Sequence, residues 1–244
     1  MTHIILFDMM DTLVREPYFD AVRGLLAARE DLHAILLRHA RRLWPRDPDG
    51  RPEMSDADAC LRLYFECRNR ESYIAFECGA ISEYEHFREF YRTDLDAELL
   101  AALPSGPRVK KRMFRQPVLL EGMRELLHWL RAIPGVRLAI ASNYSHWYQE
   151  YLNRLEELGT LFDYYFISCE MGVRKPAEAY FNQIESNLNR VEPGIGPGDF
   201  FFADDRAVNL EPARQRGWWT FQMGTVAALR AALERFLDRR GVEP

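Results

Sequence analysis

Cysteine is scarce in this chain of 244 residues, and the four present form no pattern. Cys60, Cys67, Cys78 and Cys169 make no CxxC pair and have no histidine at metal-ligand spacing, which argues against a zinc ribbon or a disulfide framework. Buried structural thiols are the expectation for all four. No apolar run approaches the roughly 18 residues that a membrane span needs. No signal peptide precedes the first strand-like run, so a reduced, cytoplasmic setting is expected. Positive charge is not in excess either. The formal net charge of −5 gives no reason to expect nucleic acid or an anionic membrane as partner. The local basic stretches Arg38–Arg42 and Arg108–Arg112 read as solvated faces or linker edges. Internal repeats and low-complexity tails are absent.

What is present begins with Ile4-Ile5-Leu6-Phe7-Asp8-Met9-Met10-Asp11-Thr12-Leu13. Four apolar residues followed at once by Asp read as a buried parallel strand that carries a carboxylate to its C-terminal end. In open α/β sheets that end is where ligands bind. Asp8 is thus either a nucleophile or metal ligand, or simply the polar residue that opens a turn.

After Leu13 the apolar spacing becomes helical for about a hundred residues. Helices are expected over Tyr18–Ala28, over Asp31–Trp44, and from an N-cap at Ser55 through Cys67. The stretch Pro45–Pro52 is a loop by composition. Gly79 ends the next helical piece, and Ser82 with Glu85 forms a capping box for a helix carrying Tyr84, Phe87, Phe90 and Tyr91. Pro104-Ser105-Gly106-Pro107 is a break, after which the basic run is expected to lead back to the first domain.

From Glu121 helices and short apolar strands alternate. Strands are expected at Arg137–Ala141, ending in Ser142-Asn143, then at Tyr165–Ser168, at Phe200–Ala203, ending in Asp204-Asp205, and at Trp219–Met223. This alternation predicts the α/β class: a doubly wound parallel sheet with an inserted all-helical cap. The core is expected over residues 1–14 and 116–244, and the cap over 15–115.

Four strand ends present, in order, Asp8, Ser142, Lys175 on the loop past its strand, and Asp204-Asp205. Singly each has a bland explanation. Ser142 suits a helix N-cap, Lys175 an exposed cation, and the paired Asp another cap. Their joint occurrence at one sheet edge is harder to explain structurally.

In Phe7-Asp8-Met9-Met10-Asp11-Thr12-Leu13, Ala139-Ile140-Ala141-Ser142-Asn143, Arg174-Lys175-Pro176 and Phe202-Ala203-Asp204-Asp205-Arg206-Ala207-Val208-Asn209 the chain resembles the haloacid dehalogenase superfamily of hydrolases over essentially its whole length. Phe76-Glu77-Cys78-Gly79-Ala80-Ile81-Ser82 is similar to a cap segment common there. The resemblance implies an aspartyl-phosphate mechanism with Asp8 as nucleophile. It implies Mg²⁺ held by Asp8, the backbone carbonyl of Met10 and Asp205, with Asp204 as a further ligand or a support behind it. Lys175 and Ser142 would serve as catalytic groups on the phosphoryl oxygens, with Asn143 and Thr12 binding substrate. The implied partner is a small phosphorylated metabolite, and the implied assembly a monomer or homodimer.

One position departs from the phosphatase pattern. The residue two beyond the nucleophile is there a second Asp that protonates the leaving group; here it is Met10, whose thioether moves no protons. Asp11 would have to turn inward to replace it, or His146 to act instead. The stretches Phe7–Arg15 and Ser142–Tyr148 are similar to those of the plant chloroplast FMN hydrolase-like phosphatases, which share Met followed by Asp. That likeness implies FMN or a related riboflavin-pathway phosphate as substrate, with Tyr144, His146 and Trp147 either near the pocket or packing the helix onto its sheet. The alternatives are a weakly catalytic or non-catalytic binding protein, suggested by Met10, and a haloacid dehalogenase, which the retained acidic pair disfavours.

Overall fold

The computed structural model describes residues 2–45 and 54–239. The loop expected over Pro45–Pro52 lies, apart from Pro45, outside the described residues. The chain divides into two compact units: Met1–Glu16 with Glu77–Ala80 and Pro117–Pro244, and Pro17–Phe76 with Ile81–Gln116.

The first unit is built on β1 (His3–Phe7), β2 (Val136–Ser142), β3 (Tyr164–Ile167), β4 (Phe200–Asp204) and β5 (Trp219–Gln222). They form a parallel sheet in the order β3-β2-β1-β4-β5. Every residue of β1 and β4 is buried, as their unbroken apolar runs require of strands covered on both faces. Leu6 lies opposite both Ala139 and Phe202, and Phe7 opposite Ile140 and Ala203. The Asp8 amide continues the ladder, donating to Ala203 O at 2.8 Å. Chain order reverses at β1, so the crevice beyond its carboxyl end is where this topology leaves room for a ligand.

The second unit is helical: α1 (Tyr18–Ala27), α2 (Glu30–Leu43), α3 (Asp56–Cys67), α4 (Arg70–Glu77, its last residue in the first unit), α5 (Glu83–Arg88), α6 (Ala97–Ala102) and α7 (Gly106–Met113). Ser55 caps α3 by accepting from the Asp58 amide, and Ser82 with Glu85 forms the capping box of α5. One expectation fails here. Helix α5 stops at Arg88, because Phe90 O is taken by the Asn69 amide and the Arg68 guanidinium, and Tyr91 bridges to Arg68. The basic run lies on α7, which Pro107 opens; Arg108, Lys111 and Arg112 form a solvated face, the last-turn Lys110, Lys111 and Arg112 complement the helix dipole, and the chain returns to the first unit at Pro117. In this unit the half-buried Arg68 lies over the Phe90 ring, 3.5 Å from its centroid, and its guanidinium donates to the hydroxyls of Tyr64 (3.0 Å) and Tyr18.

The first unit's helices are α8 (Met123–Arg131), α9 (Tyr148–Arg154), α10 (Glu156–Thr160), α11 (Ser168–Met171), α12 (Glu178–Val191), α13 (Ala207–Gln215) and α14 (Val226–Asp238). Side chains alternate along β4. Phe200 and Phe202 join the core under α12 and α13, while Phe201 meets Phe236 of α14 with ring centroids 5.4 Å apart. Ser168, expected to end β3, instead opens α11. The segment Glu77–Ala80 belongs with this unit because Ser168 Oγ donates to Glu77 O (2.6 Å) and Arg174 pairs with the Glu77 carboxylate (2.9 Å). Gly79 has φ +70°, and a Cβ there would stand 2.2 Å from Cys169 O, so only glycine fits. Among the described residues no helix is long and apolar enough to cross a membrane.

Candidate active site

The carboxyl ends of β1, β2 and β4 stand side by side, and each delivers one polar group: Asp8, Ser142 and Asp204. All three are buried. Lys175, with 1% of its surface exposed, reaches in from the loop before α12. Its Nζ donates to Asp8 Oδ1 (2.9 Å), Asp204 Oδ2 (2.6 Å) and Ala141 O (2.6 Å), which uses all three ammonium donors. Only a cation fully paired in this way is tolerated at such depth.

The electrostatics follow from this packing. Burial raises the Asp8 carboxyl above its usual range; Lys175 pulls it back, Asp204 pushes it up again, and Ser142 lowers it by hydrogen bonding. Burial opposes the charge of Lys175, but Asp8 and Asp204 outweigh it and leave the ammonium raised. Asp205 is pushed up to about 6, first by burial, then by Asp8, Asp204 and Asp11. The groups gathered here therefore carry more negative than positive charge.

Carboxylate oxygens of Asp8, Asp204 and Asp205 lie within 4.8 Å of one another. An all-oxygen, net-negative set of this kind fits a hard divalent cation, which would offset both the burial that chiefly raises Asp8 and Asp205 and the repulsion that adds to it. Asp204 is also held from behind. Its Oδ1 accepts from the Arg206 amide (2.8 Å), and Asn209 Nδ2 donates to both carboxylate oxygens (3.0 and 3.1 Å).

The turn after β1 is tight. Met9 O accepts from the amides of Leu13 and Val14, and Val14 O accepts from Asp11 N. Met10 sits in this turn, in register with Val14. Thr12 is fully buried, and its Oγ1 has no hydrogen-bond partner. Asp11 has φ +50°, and its carboxylate accepts from the Glu16 amide (2.9 Å) on the exposed side of the turn. It is near enough to raise Asp205, but it is not one of the three carboxylates whose oxygens close within 4.8 Å.

Asn143 grips the Lys175 main chain with both ends of its amide, donating to Lys175 O (2.9 Å) and accepting from Lys175 N (2.7 Å). Tyr144 and Trp147 are buried in the packing of the first unit, with Tyr144 edge-on to Tyr151. His146 is about half exposed, its Nδ1 3.3 Å from Glu170. Three supporting residues had no role assigned from the sequence: Asn209 behind Asp204, and the Glu77–Arg174 pair beside Lys175. Asn209 was legible as an amide one helical turn past Asp204-Asp205; the Glu77–Arg174 pair had no local signal.

The comparisons agree with this geometry. A family model described as haloacid dehalogenase-like hydrolase matches residues 2–217. Flavin mononucleotide hydrolase 1 of the Arabidopsis thaliana chloroplast is 28% identical over 214 residues, covering 88% of this chain and 69% of that one. The HAD family enzyme BT-2542 of Bacteroides thetaiotaomicron superposes with a TM-score of 0.60 at 16% identity, covering 92% of this chain and 95% of that one. That enzyme is also known in complex with magnesium and inorganic phosphate. A predicted HAD-like family hydrolase of Porphyromonas gingivalis superposes with a TM-score of 0.58 at 21% identity, covering 97% and 98% of the two chains. Sheet order, the aspartate that follows the central strand, and a family model spanning most of the chain lead to one assignment: this protein is a haloacid dehalogenase-like hydrolase.

Proposed function

We propose that the chain is a Mg²⁺-dependent phosphomonoester hydrolase that works through an aspartyl phosphate on Asp8, with FMN or a related riboflavin-pathway phosphate as substrate. The observation that carries the reading is the Asp8–Lys175–Asp204 cluster: a carboxylate at the end of the central strand, paired with a buried ammonium and flanked by the carboxylates of Asp204 and Asp205. The substrate class is supported by the 28% identity to a flavin mononucleotide hydrolase.

In this reading Asp8, Asp205, the Met10 carbonyl and Asp204 would hold the cation, which would supply the positive charge a carboxylate needs to approach a phosphate dianion. A carboxylate oxygen of Asp8 forms a bond to phosphorus as the ester P–O bond breaks. Lys175, already on Asp8 Oδ1, and the Ser142 hydroxyl hold the phosphoryl oxygens against the charge that spreads over them. Asn143 fixes the Lys175 loop through its main chain, so its contribution is to orientation. Water then attacks phosphorus and regenerates the Asp8 carboxylate. With Met10 unable to donate and Asp11 held by the Glu16 amide, the leaving oxygen takes its proton from water. The reaction should therefore be slow on alkyl phosphates and faster on aryl phosphates. The same two residues are what favour a second reading, a weakly catalytic or non-catalytic binding protein. The intact acidic triad argues against carbon–halogen cleavage.

The test is a phosphatase panel with Mg²⁺ containing FMN, sugar phosphates and an aryl phosphate. Release of phosphate from FMN above the sugar phosphates, lost with EDTA, is expected. Negligible hydrolysis of every member supports the binding-protein reading instead.

A further inference from the structure

Outside the acidic cluster, the carboxyl edge of the sheet gathers a second set of metal-ligating side chains, of different chemistry. His146 lies in the loop after β2, and Cys169 and Glu170 in the first turn of α11 after β3. A ring nitrogen of His146, Sγ of Cys169 and a carboxylate oxygen of Glu170 lie within 4.8 Å of one another. The sequence spacing shows no such company for any cysteine; the pairing of β2 with β3 creates it.

We propose that His146, Cys169 and Glu170 form a binding site for a thiophilic divalent cation such as Zn²⁺, separate from the all-oxygen site of Asp8, Asp204 and Asp205.

The donor set carries the argument. One imidazole, one thiolate and one carboxylate suit Zn²⁺ or Co²⁺, whereas Mg²⁺ seeks oxygen ligands and keeps its waters. Three protein ligands with a fourth position open to water is a recurrent tetrahedral zinc arrangement. With metal–sulfur near 2.3 Å and metal–nitrogen near 2.0–2.1 Å, tetrahedral donors stand about 3.5 Å apart. His146 Nδ1 and Glu170 Oε1 are already at 3.3 Å. The remaining closure falls to His146 and Glu170, both about half exposed and able to change rotamer, while Cys169 is fixed by its burial. Glu170 is steadied by the Tyr148 hydroxyl, which donates to Oε1 at 3.4 Å.

Of the three metal-competent groups among the described residues, this alone contains sulfur. The His39–Asp96–Glu98 group is less suited, since Asp96 caps α6 and Glu98 pairs with Arg38. On binding, the Cys169 thiol gives its proton to solvent and the sulfur ligates as thiolate. Occupancy would tie the loop after β2 to the first turn of α11.

The test uses Co²⁺ as a spectroscopic stand-in, titrated into the full chain with excess Mg²⁺ and a non-thiol reductant. A thiolate-to-cobalt charge-transfer band in the near ultraviolet is expected, with visible bands of four-coordinate cobalt, and Zn²⁺ should erase both. Cys169→Ser should abolish the charge-transfer band, and Cys60→Ser should leave it intact. His146→Ala, at an exposed position that does not threaten folding, should weaken Co²⁺ binding by at least the roughly 10–100-fold that even an outer-shell partner is worth. No charge-transfer band in the wild type would overturn the proposal. So would a band that survives Cys169→Ser, including one lost in Cys78→Ser instead, or wild-type affinity in His146→Ala.

Discussion

Replacing Lys175 with methionine keeps most of the side-chain volume and removes the charge, which isolates what the ammonium does. In the wild type Nζ meets two carboxylates and one carbonyl within 2.6–2.9 Å, and the side chain has no exposed surface. Removing one partner of a buried ion pair costs about 3–5 kcal/mol, because the remaining charge is left without compensation. Two carboxylates are left here rather than one, so the upper end applies. Against a total stability of about 5–15 kcal/mol, that is a third or more of what holds a domain folded.

A divalent cation in the acidic cluster would meet this excess charge. Without the ammonium nearby, Mg²⁺ should bind at least tenfold tighter, returning about 1.4 kcal/mol of the loss. Urea unfolding of wild type and Lys175→Met, with EDTA and with saturating Mg²⁺, reads both quantities. The deficit should also narrow as pH falls, since protonating Asp8 removes the stranded charge. A deficit below about 1 kcal/mol in EDTA, or one that Mg²⁺ leaves unchanged or enlarges, would refute the reasoning.

Two further outcomes follow from the same structure. Met10→Asp should restore a proton donor two residues past the nucleophile and raise kcat on an alkyl phosphate by up to about 10²–10⁴, with a smaller gain on an aryl phosphate whose leaving group needs no acid; equal gains on both would contradict the role given to Met10. His86 is buried against Phe76, accepts from the Arg68 guanidinium on Nε2 and donates from Nδ1 to the Ser72 hydroxyl, and is lowered to about 4 by burial and then by Arg68. Because its folded pKa lies below the unfolded value near 6.5, stability is flat above that value and falls between about 6.5 and 4, by roughly 3 kcal/mol in all. Denaturant unfolding across that range should show the loss in the wild type and not in His86→Gln.

The parts of the fold legible in the sequence were those where a residue's own neighbours decide the outcome. The apolar runs Ile4–Phe7 and Phe200–Ala203 could bury both faces only as central strands, and the carboxylates that follow them met at one edge once the two strands paired. The capping box at Ser82 marked the start of α5 correctly, for it is made within four residues. Its end was not legible. Phe90 and Tyr91 leave the helix to serve Arg68 and Asn69, partners about twenty positions away. Likewise Lys175 was visible as a lysine beside a strand, but Asn143 gripping its main chain and Asn209 bracing Asp204 depend on how separate loops come together. The basic run at Arg108–Arg112 was legible as a solvated face but not as a helix, because charge says little about whether a helix forms, while Pro107 in its first turn says a good deal.

The most direct measurement is the fate of the phosphoryl group during turnover. Enzyme mixed with Mg²⁺ and ³²P-labelled FMN is quenched in acid and digested, and the peptides are separated. The account predicts hydroxylamine-sensitive label on the peptide that carries Asp8, with no label and no phosphate release from Asp8→Asn. Label on any other residue, or turnover that persists in Asp8→Asn, would contradict it.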